Sequence, residues 1–505
     1  MAFLLALVVL VLLGIRAAVT VIRAHSSSLS LLPRAGLLAP YSRLLWAFPH
    51  EYRGTITLDL PKLHKKLGPL IHIGPGEVSF YSLEAYDVVH KPNGGFVKDP
   101  RTYGQFVQDG HPALFSITLP EEHAKRRRMM GQLLSRSKVP TLEGLMLHHI
   151  DAFVHALRRR SGTLVEAGSA CRALEADIIS TFSFGESLGA VDAWERGQNV
   201  KMVQANDEKA TWMPLLTSFP LLCDLWDRVQ RTVARTTGIQ SVYCKALEEF
   251  DQWAEKSWMR ATSEGEPSGF PNLIKVLTRS GLPAETALSE AKENLGPGTD
   301  TTSGSLAHIL YALSKNKAYQ ETLFLDLAQA GFPTNMTALE GVPRLKACVK
   351  EGIRWAGTAA AMLPRIVPPE GVDLHGCYIP AGTVLTSSPI WYLRDEAAFP
   401  QPELFDPYRW ISTDGTNPTE NRLRDRYYIP FSKGLNICIG AQFAYYELYL
   451  SVAKVLRNYR LRSPSDQHNV GVGEKGWQSV PLPLRKEWVA AVPLQALDII
   501  LEPRF

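Results

Sequence analysis

Apolar positions three and four apart recur through residues 141–158, 171–184, 236–258, 284–315, 340–355 and 441–458, a period that predicts helices with one buried face. Strand-type runs are short and few. Thr55 to Thr57, Leu70 to Ile73 and Val78 to Phe80, set between Gly-Pro turns, predict a small sheet near the start. Thr383 to Leu385 predicts a further strand in the Pro-rich, irregular stretch 357–435, and strand-like runs return over 476–503. No repeat, low-complexity tract or linker interrupts the chain. The pattern predicts one large, mainly α domain with minor β-sheets over residues 24–505.

The first 23 residues follow another pattern. Met1 to Ile15 carry no charge, and Ala17 to Ile22 continue the apolar run after Arg16, which together is long enough to span a bilayer as a helix. A cleaved signal peptide would need a basic segment before the run and a small-residue cleavage site after it, and both are missing. Arg16, Arg23 and Arg34 lie at or beyond the end of the run, and positive flanks stay on the cytoplasmic side. The expectation is a single-pass membrane anchor over residues 1–23 with the rest of the chain in the cytosol. The glycosylation triplet Asn335 to Thr337 would then go unused.

Composition narrows the function. With 54 Lys+Arg against 50 Asp+Glu and a net charge of +4, the 505-residue chain has no global field for nucleic acid. The one dense basic run, Lys125 to Arg128, has no interleaved aromatic residues and reads by itself as a solvated helix face. Six irregularly spaced cysteines exclude a disulfide framework and a paired-cysteine zinc site. No zinc helix, phosphate loop or complete dinucleotide fingerprint is present.

One cysteine stands apart. Phe431, Gly434, Asn436, Cys438 and Gly440 are followed at once by the helical pattern of 441–458, so Cys438 precedes a helix N-terminus. Unpaired N–H groups there favour a thiolate, and the sequence predicts a lowered thiol pKa. Gly434 and Gly440 carry no Cβ, which leaves room for backbone amides to face the sulfur and for a flat cofactor to approach. A buried structural cysteine is the commoner reading of a lone thiol.

The surroundings favour a metal ligand, because the stretch resembles the haem-binding loop of the cytochrome P450 family. All but one of that pattern's fixed positions are present; Asn436 stands where an arginine usually pairs with a haem propionate, which implies weaker haem retention or an altered potential. Glu351 and Arg354, three apart on one helix face, are similar to the family's buried Glu/Arg pair, and Arg409 to the arginine that completes its network. Gly296, Gly298, Asp300, Thr301 and Thr302 permit two readings by periodicity: a loop capped by Asp300, or a kink in one long helix. The resemblance decides for the helix, with Asp300 relaying protons and Thr301 holding hydrogen bonds above the haem, and with Pro297 in place of the usual Ala or Gly. His123 and Arg127, four apart, and Arg365 occupy positions from which the family binds the propionates.

The resemblance runs from anchor to C-terminus and implies haem b held by the Cys438 thiolate. It implies a monooxygenase that inserts one oxygen atom from O2 into a hydrophobic small molecule, in the manner of membrane-anchored fungal enzymes of secondary metabolism. Electrons are expected from NADPH–cytochrome P450 reductase, on the cytosolic face of the endoplasmic reticulum membrane. A pocket lined from Tyr103 to Phe115, near Leu295, by Thr358 to Met362 and near Ala490 to Pro493 is small-residue and apolar in part, which suits a bulky apolar substrate. Two other readings use the same fold: a non-oxygenase rearrangement, which would not need Asp300 and Thr301, and a haem-poor binding protein marked by Asn436.

Overall fold

A computed structural model describes the backbone of residues 2–198, 200–262, 269–464 and 480–505, and the side chains of these except 2–6, 8–10, 13, 201, 202, 204–208, 210, 243 and 262. The helices used below are α1 (Ala2–Ser26), α2 (Pro120–Leu134), α3 (Glu143–Arg159), α4 (Ala167–Phe184), α5 (Pro220–Thr237), α6 (Ala284–Ser314), α7 (Pro343–Ala356) and α8 (Ala441–Asn458). The strands are β1 (Leu70–Gly74), β2 (Glu77–Phe80), β3 (Val97–Lys98), β4 (Arg365–Ile366) and β5 (Val384–Thr386). The architecture is mainly α with minor sheets.

The 31-residue α6 is the axis of the molecule. It packs along α4 and touches α7 and α8, and the buried faces of all four feed one core that includes Leu174, Ile178, Leu306, Ile309, Cys348, Leu450 and Val452. Local chemistry sets their ends. Glu166 accepts the Gly168 and Ser169 amides at the start of α4, and Gly185 ends it in the left-handed conformation. Pro343 opens α7 and Gly357, at φ 49°, closes it.

The five strands form one sheet in the order β1-β2-β5-β4-β3. Its far edge pairs Lys98 of β3 with Arg365 of β4, a register that brings together two cations 267 positions apart in sequence. Smaller sheets close the C-terminal part, including the antiparallel pair Arg485–Glu487 with Ala491–Pro493.

Two expectations need correction. Thr55 to Thr57 is no strand: Ile56 opens a helix, Ile56–Leu67, whose inner face buries Ile56, Leu60 and His64. The periodic run 236–258 is divided, because Gly238 takes φ 69° and ends α5, and a second helix starts at Val242. The strands of the last region begin at Val480, and residues 476–479 lie outside the described set. Among the described residues no helix is long and apolar enough to cross a membrane. The anchor expected over residues 1–23 rests largely on side chains outside the description, so the helical backbone of α1 is what the structure adds.

Candidate functional site

The cysteine loop is held from both sides. The Cys438 amide donates to the Phe431 carbonyl at 3.0 Å, and the Phe431 ring lies 5.2 Å from Tyr445 of α8. Gly434 adopts φ 70°, and a Cβ there would fall 1.7 Å from the His90 carbonyl oxygen, so packing against His90 demands the glycine. At Gly440 a Cβ would meet only the Cys438 sulfur, at 3.9 Å. Room beside the sulfur is therefore left by Gly440, and Gly434 serves the loop's own close packing.

Cys438 is exposed, although protein atoms surround it densely. Both hold for a residue on the floor of an internal hollow. Burial raises the thiol pKa, against the Gly440 and Ala441 amides and Arg127, which favour the thiolate. The lowered pKa expected from the helix N-terminus is thus not found: partial charges offset only part of the desolvation. A bound cation reverses that balance, since coordination removes the thiol proton outright.

Four basic side chains gather beside this loop. Arg127 of α2 donates to the Ile437 carbonyl at 2.6 Å. Arg365 is buried and donates to the Tyr103 hydroxyl at 2.8 Å and the Pro364 carbonyl at 2.9 Å. Lys98, its neighbour across the sheet, donates to the Leu114 and Phe115 carbonyls at 3.0 and 2.8 Å. Burial, and then Arg365, push the Lys98 amine down to about 7. His123 of α2 is buried with Nδ1 unpartnered, and burial together with Lys98, Arg127 and Arg365 pushes it down to about 3, so the ring is neutral. Among the described residues Lys98, Arg127 and Arg365 form no ion pair with a carboxylate, although Glu293 and Glu290 act on Lys98 and oppose the fall of its pKa.

A cation cluster next to an exposed thiol in a walled hollow, with Glu293 and Glu290 acting on its Lys98 member, has the donor set for a flat cofactor with a metal centre and anionic edge groups. The residues fit haem. Lys98 is the member the sequence reading missed. Standing beside Asp99 it reads as a surface residue, and only the strand register gives it away.

Glu351, Arg354 and Arg409 come together in full. Arg354 donates to both Glu351 oxygens at 2.8 Å, and Arg409 Nε lies 3.3 Å from Oε1. The Asp406 amide and the Trp410 indole complete the set at 2.9 and 3.0 Å. The Arg354 guanidinium also reaches the Leu393, Pro402 and Leu404 carbonyls, and neither Glu351 nor Arg354 is exposed.

On α6 the stretch from Gly296 to Thr302 is continuous helix, which excludes the two-helix reading. Pro297 has no N–H and is exposed between buried Leu295 and Thr299. The Thr301 hydroxyl donates to the Pro297 carbonyl at 3.4 Å. The Thr301 carbonyl accepts from Ser305 at 2.8 Å and from Thr358 at 3.0 Å. Asp300 pairs with Arg172 of α4 at 2.5 Å; burial raises its carboxyl pKa, and Arg172 opposes the rise. Nothing in the period of 171–184 marks Arg172 as more than a helix cation. Asp300 and Thr301 make no direct contact with the cysteine loop among the described residues.

A cavity is lined by Tyr103, Phe106, Phe115, Met362 and Val489, together with Arg43, Glu77 and Arg101. Leu295 is not in its lining.

Residues 40–483 match the family model for cytochrome P450. The chain belongs to that family: it is a haem-thiolate oxidoreductase acting as a monooxygenase. Among its relatives is the cytochrome P450 monooxygenase macH of Penicillium terrestre, 28% identical over 81% of each chain. The monooxygenase sdnE of Sordaria araneosa is 26% identical over 90% of each. The tryptophan 6-hydroxylase fscE of Fusarium equiseti is 26% identical over 81% of this chain.

Proposed function

We propose that the catalytic domain, residues 24–505, inserts one oxygen atom into a bulky, largely apolar small molecule of fungal secondary metabolism. In this reading Cys438 would ligate the haem iron, Lys98, His123, Arg127 and Arg365 would receive the propionates, and Phe431, Gly434 and Gly440 would shape the loop. Glu351, Arg354 and Arg409 hold the loop's support. The observation that carries the reading is the cluster of Lys98, His123, Arg127 and Arg365 converging on the Cys438 loop.

When bound, haem supplies the activation of dioxygen. The chain's own part is positional. Burial favours a proton at the Asp300 carboxyl and Arg172 opposes it, and the Thr301 hydroxyl beside it in sequence would carry hydrogen bonds toward the hollow. The walls around Phe115 and Met362 orient the substrate and exclude water. No flavin or nicotinamide motif lies in the sequence, so electrons come from NADPH–cytochrome P450 reductase.

The membrane reading belongs to this proposal. In α1, Leu7, Val11, Leu12, Ile15, Val19 and Ile22 are exposed, and 25 residues rise about 37 Å, enough for a bilayer. A second support is α5, where Leu222, Leu225, Trp226, Val229 and Val233 are exposed at helical spacing beside Arg228 and Arg231. Such a face suits the surface of the endoplasmic reticulum membrane.

Membranes carrying the chain and its reductase, given NADPH, isotopically labelled O2 and a panel of apolar small molecules, test the reaction type. A product with one labelled oxygen is expected. An unlabelled product of unchanged mass would establish rearrangement instead.

A further inference from the structure

Two glutamates lie where the mechanism does not use them. Glu175 of α4 and Glu447 of α8 are 0% and 1% exposed, and none of their four carboxyl oxygens has a hydrogen-bond donor. The helices face each other here: Phe182 of α4 packs on Phe443 of α8, with ring centroids 5.3 Å apart. Two turns back along α4 and one turn on along α8, the same faces bring Glu175 and Glu447 within hydrogen-bonding reach. Two carboxylates side by side without a donor cannot both be ionised. One turn before Glu175, Arg172 acts on the pair and also binds Asp300 of α6 at 2.5 Å.

We propose that Glu175 and Glu447 share a single proton, and that the negative charge left on the pair competes with Asp300 for Arg172. The two glutamates are thus positioning residues for Asp300, a role that rests on the assignment of Asp300 to proton handling. The pair lies on the α4–α8 side of α6, so the charge that tunes Asp300 sits away from the substrate cavity.

The groups around the pair support one proton. Burial is the main cause raising both carboxyls, that of Glu447 to about 7, and each raises or binds the other. Arg172 alone lowers Glu175. On α3, His149 bonds Thr181 of α4 and is kept neutral by burial at about 4. On α4 itself Cys171 feels Glu166 and Glu175 and stays a thiol. The sign of the linkage follows. Between about 4.5 and about 7 the folded chain holds a proton the unfolded chain has released, so the pair costs stability as pH rises through that range.

Infrared spectroscopy and melting of the haem-loaded protein test this without any turnover. The wild type should show a neutral carboxylic-acid C=O band at pH 7 that is lost in E447Q and in E175Q. Gln mimics the protonated partner, so E447Q should melt level with the wild type at pH 5 and above it at pH 8. If E447Q does not fold, E175Q carries the same expectation. A second acid band, assigned by its loss in D300N, should titrate about one pH unit lower in E175Q/E447Q, because the charge of the pair then no longer competes with Asp300 for Arg172. Absence of the first band, or single variants that lose stability equally at pH 5 and pH 8, would overturn the shared proton. An unmoved Asp300 band would overturn the link to Arg172. Failure of oxygen insertion in the wild type would touch neither result.

Discussion

Asn436 removes a charge from the cysteine loop, and the fold supplies one from elsewhere. Lys98 reaches the same cluster from β3, held by two backbone carbonyls and by its register with Arg365. Loss of its charge should weaken anion binding by about 1.5–3 kcal/mol, the range for a charged hydrogen bond. Lys98→Met should therefore release haem at least about tenfold faster in an apomyoglobin transfer assay, and Asn436→Arg in that background should restore retention. A Lys98→Met protein that holds haem like the wild type would remove Lys98 from the cofactor site. At this scale the sequence was legible where chemistry is local: Cys438 before its helix, Glu351 and Arg354 one turn apart. Lys98, Arg172 and Glu447 were not, because their partners lie on other elements and neither period nor spacing records a distant neighbour.

Among elements, the close crossing of α6 and α7 sets a steric requirement. A Cβ at Gly352 would fall 2.1 Å from Ile309, so the helices approach only because residue 352 has no side chain. Gly352→Ala should destabilise the protein by about 1–3 kcal/mol, the cost of overpacking, in a denaturant titration. Beside it, Glu351→Gln leaves Arg354 and Arg409 without their carboxylate in a site closed to water. A loss of about 3–5 kcal/mol is expected, and a change under about 1 kcal/mol would show that the network is not needed for folding. Helix positions were legible because one face of each is buried at a regular period. The exceptions have local causes: Thr55 to Thr57 is β-branched throughout yet begins a helix packed by Leu60 and His64, and Gly238 breaks a run that periodicity alone would continue.

At the scale of the whole molecule, residues 40–483 fix the family, and α1 lies outside that match. Deleting residues 2–26 should leave a protein that still binds vesicles but is released by alkaline carbonate, while Leu222→Asp with Trp226→Glu in the deleted chain should abolish flotation. Flotation unchanged by the double substitution would exclude α5 as a membrane surface. The central claim is that Cys438 ligates haem iron in a hollow ringed by Lys98, His123, Arg127 and Arg365. The carbon monoxide difference spectrum of the dithionite-reduced protein tests it most directly. A strongly red-shifted Soret band that disappears in Cys438→Ala is expected; a haem-loaded, folded protein without that band, or one that keeps it after the substitution, would show that Cys438 does not ligate the iron.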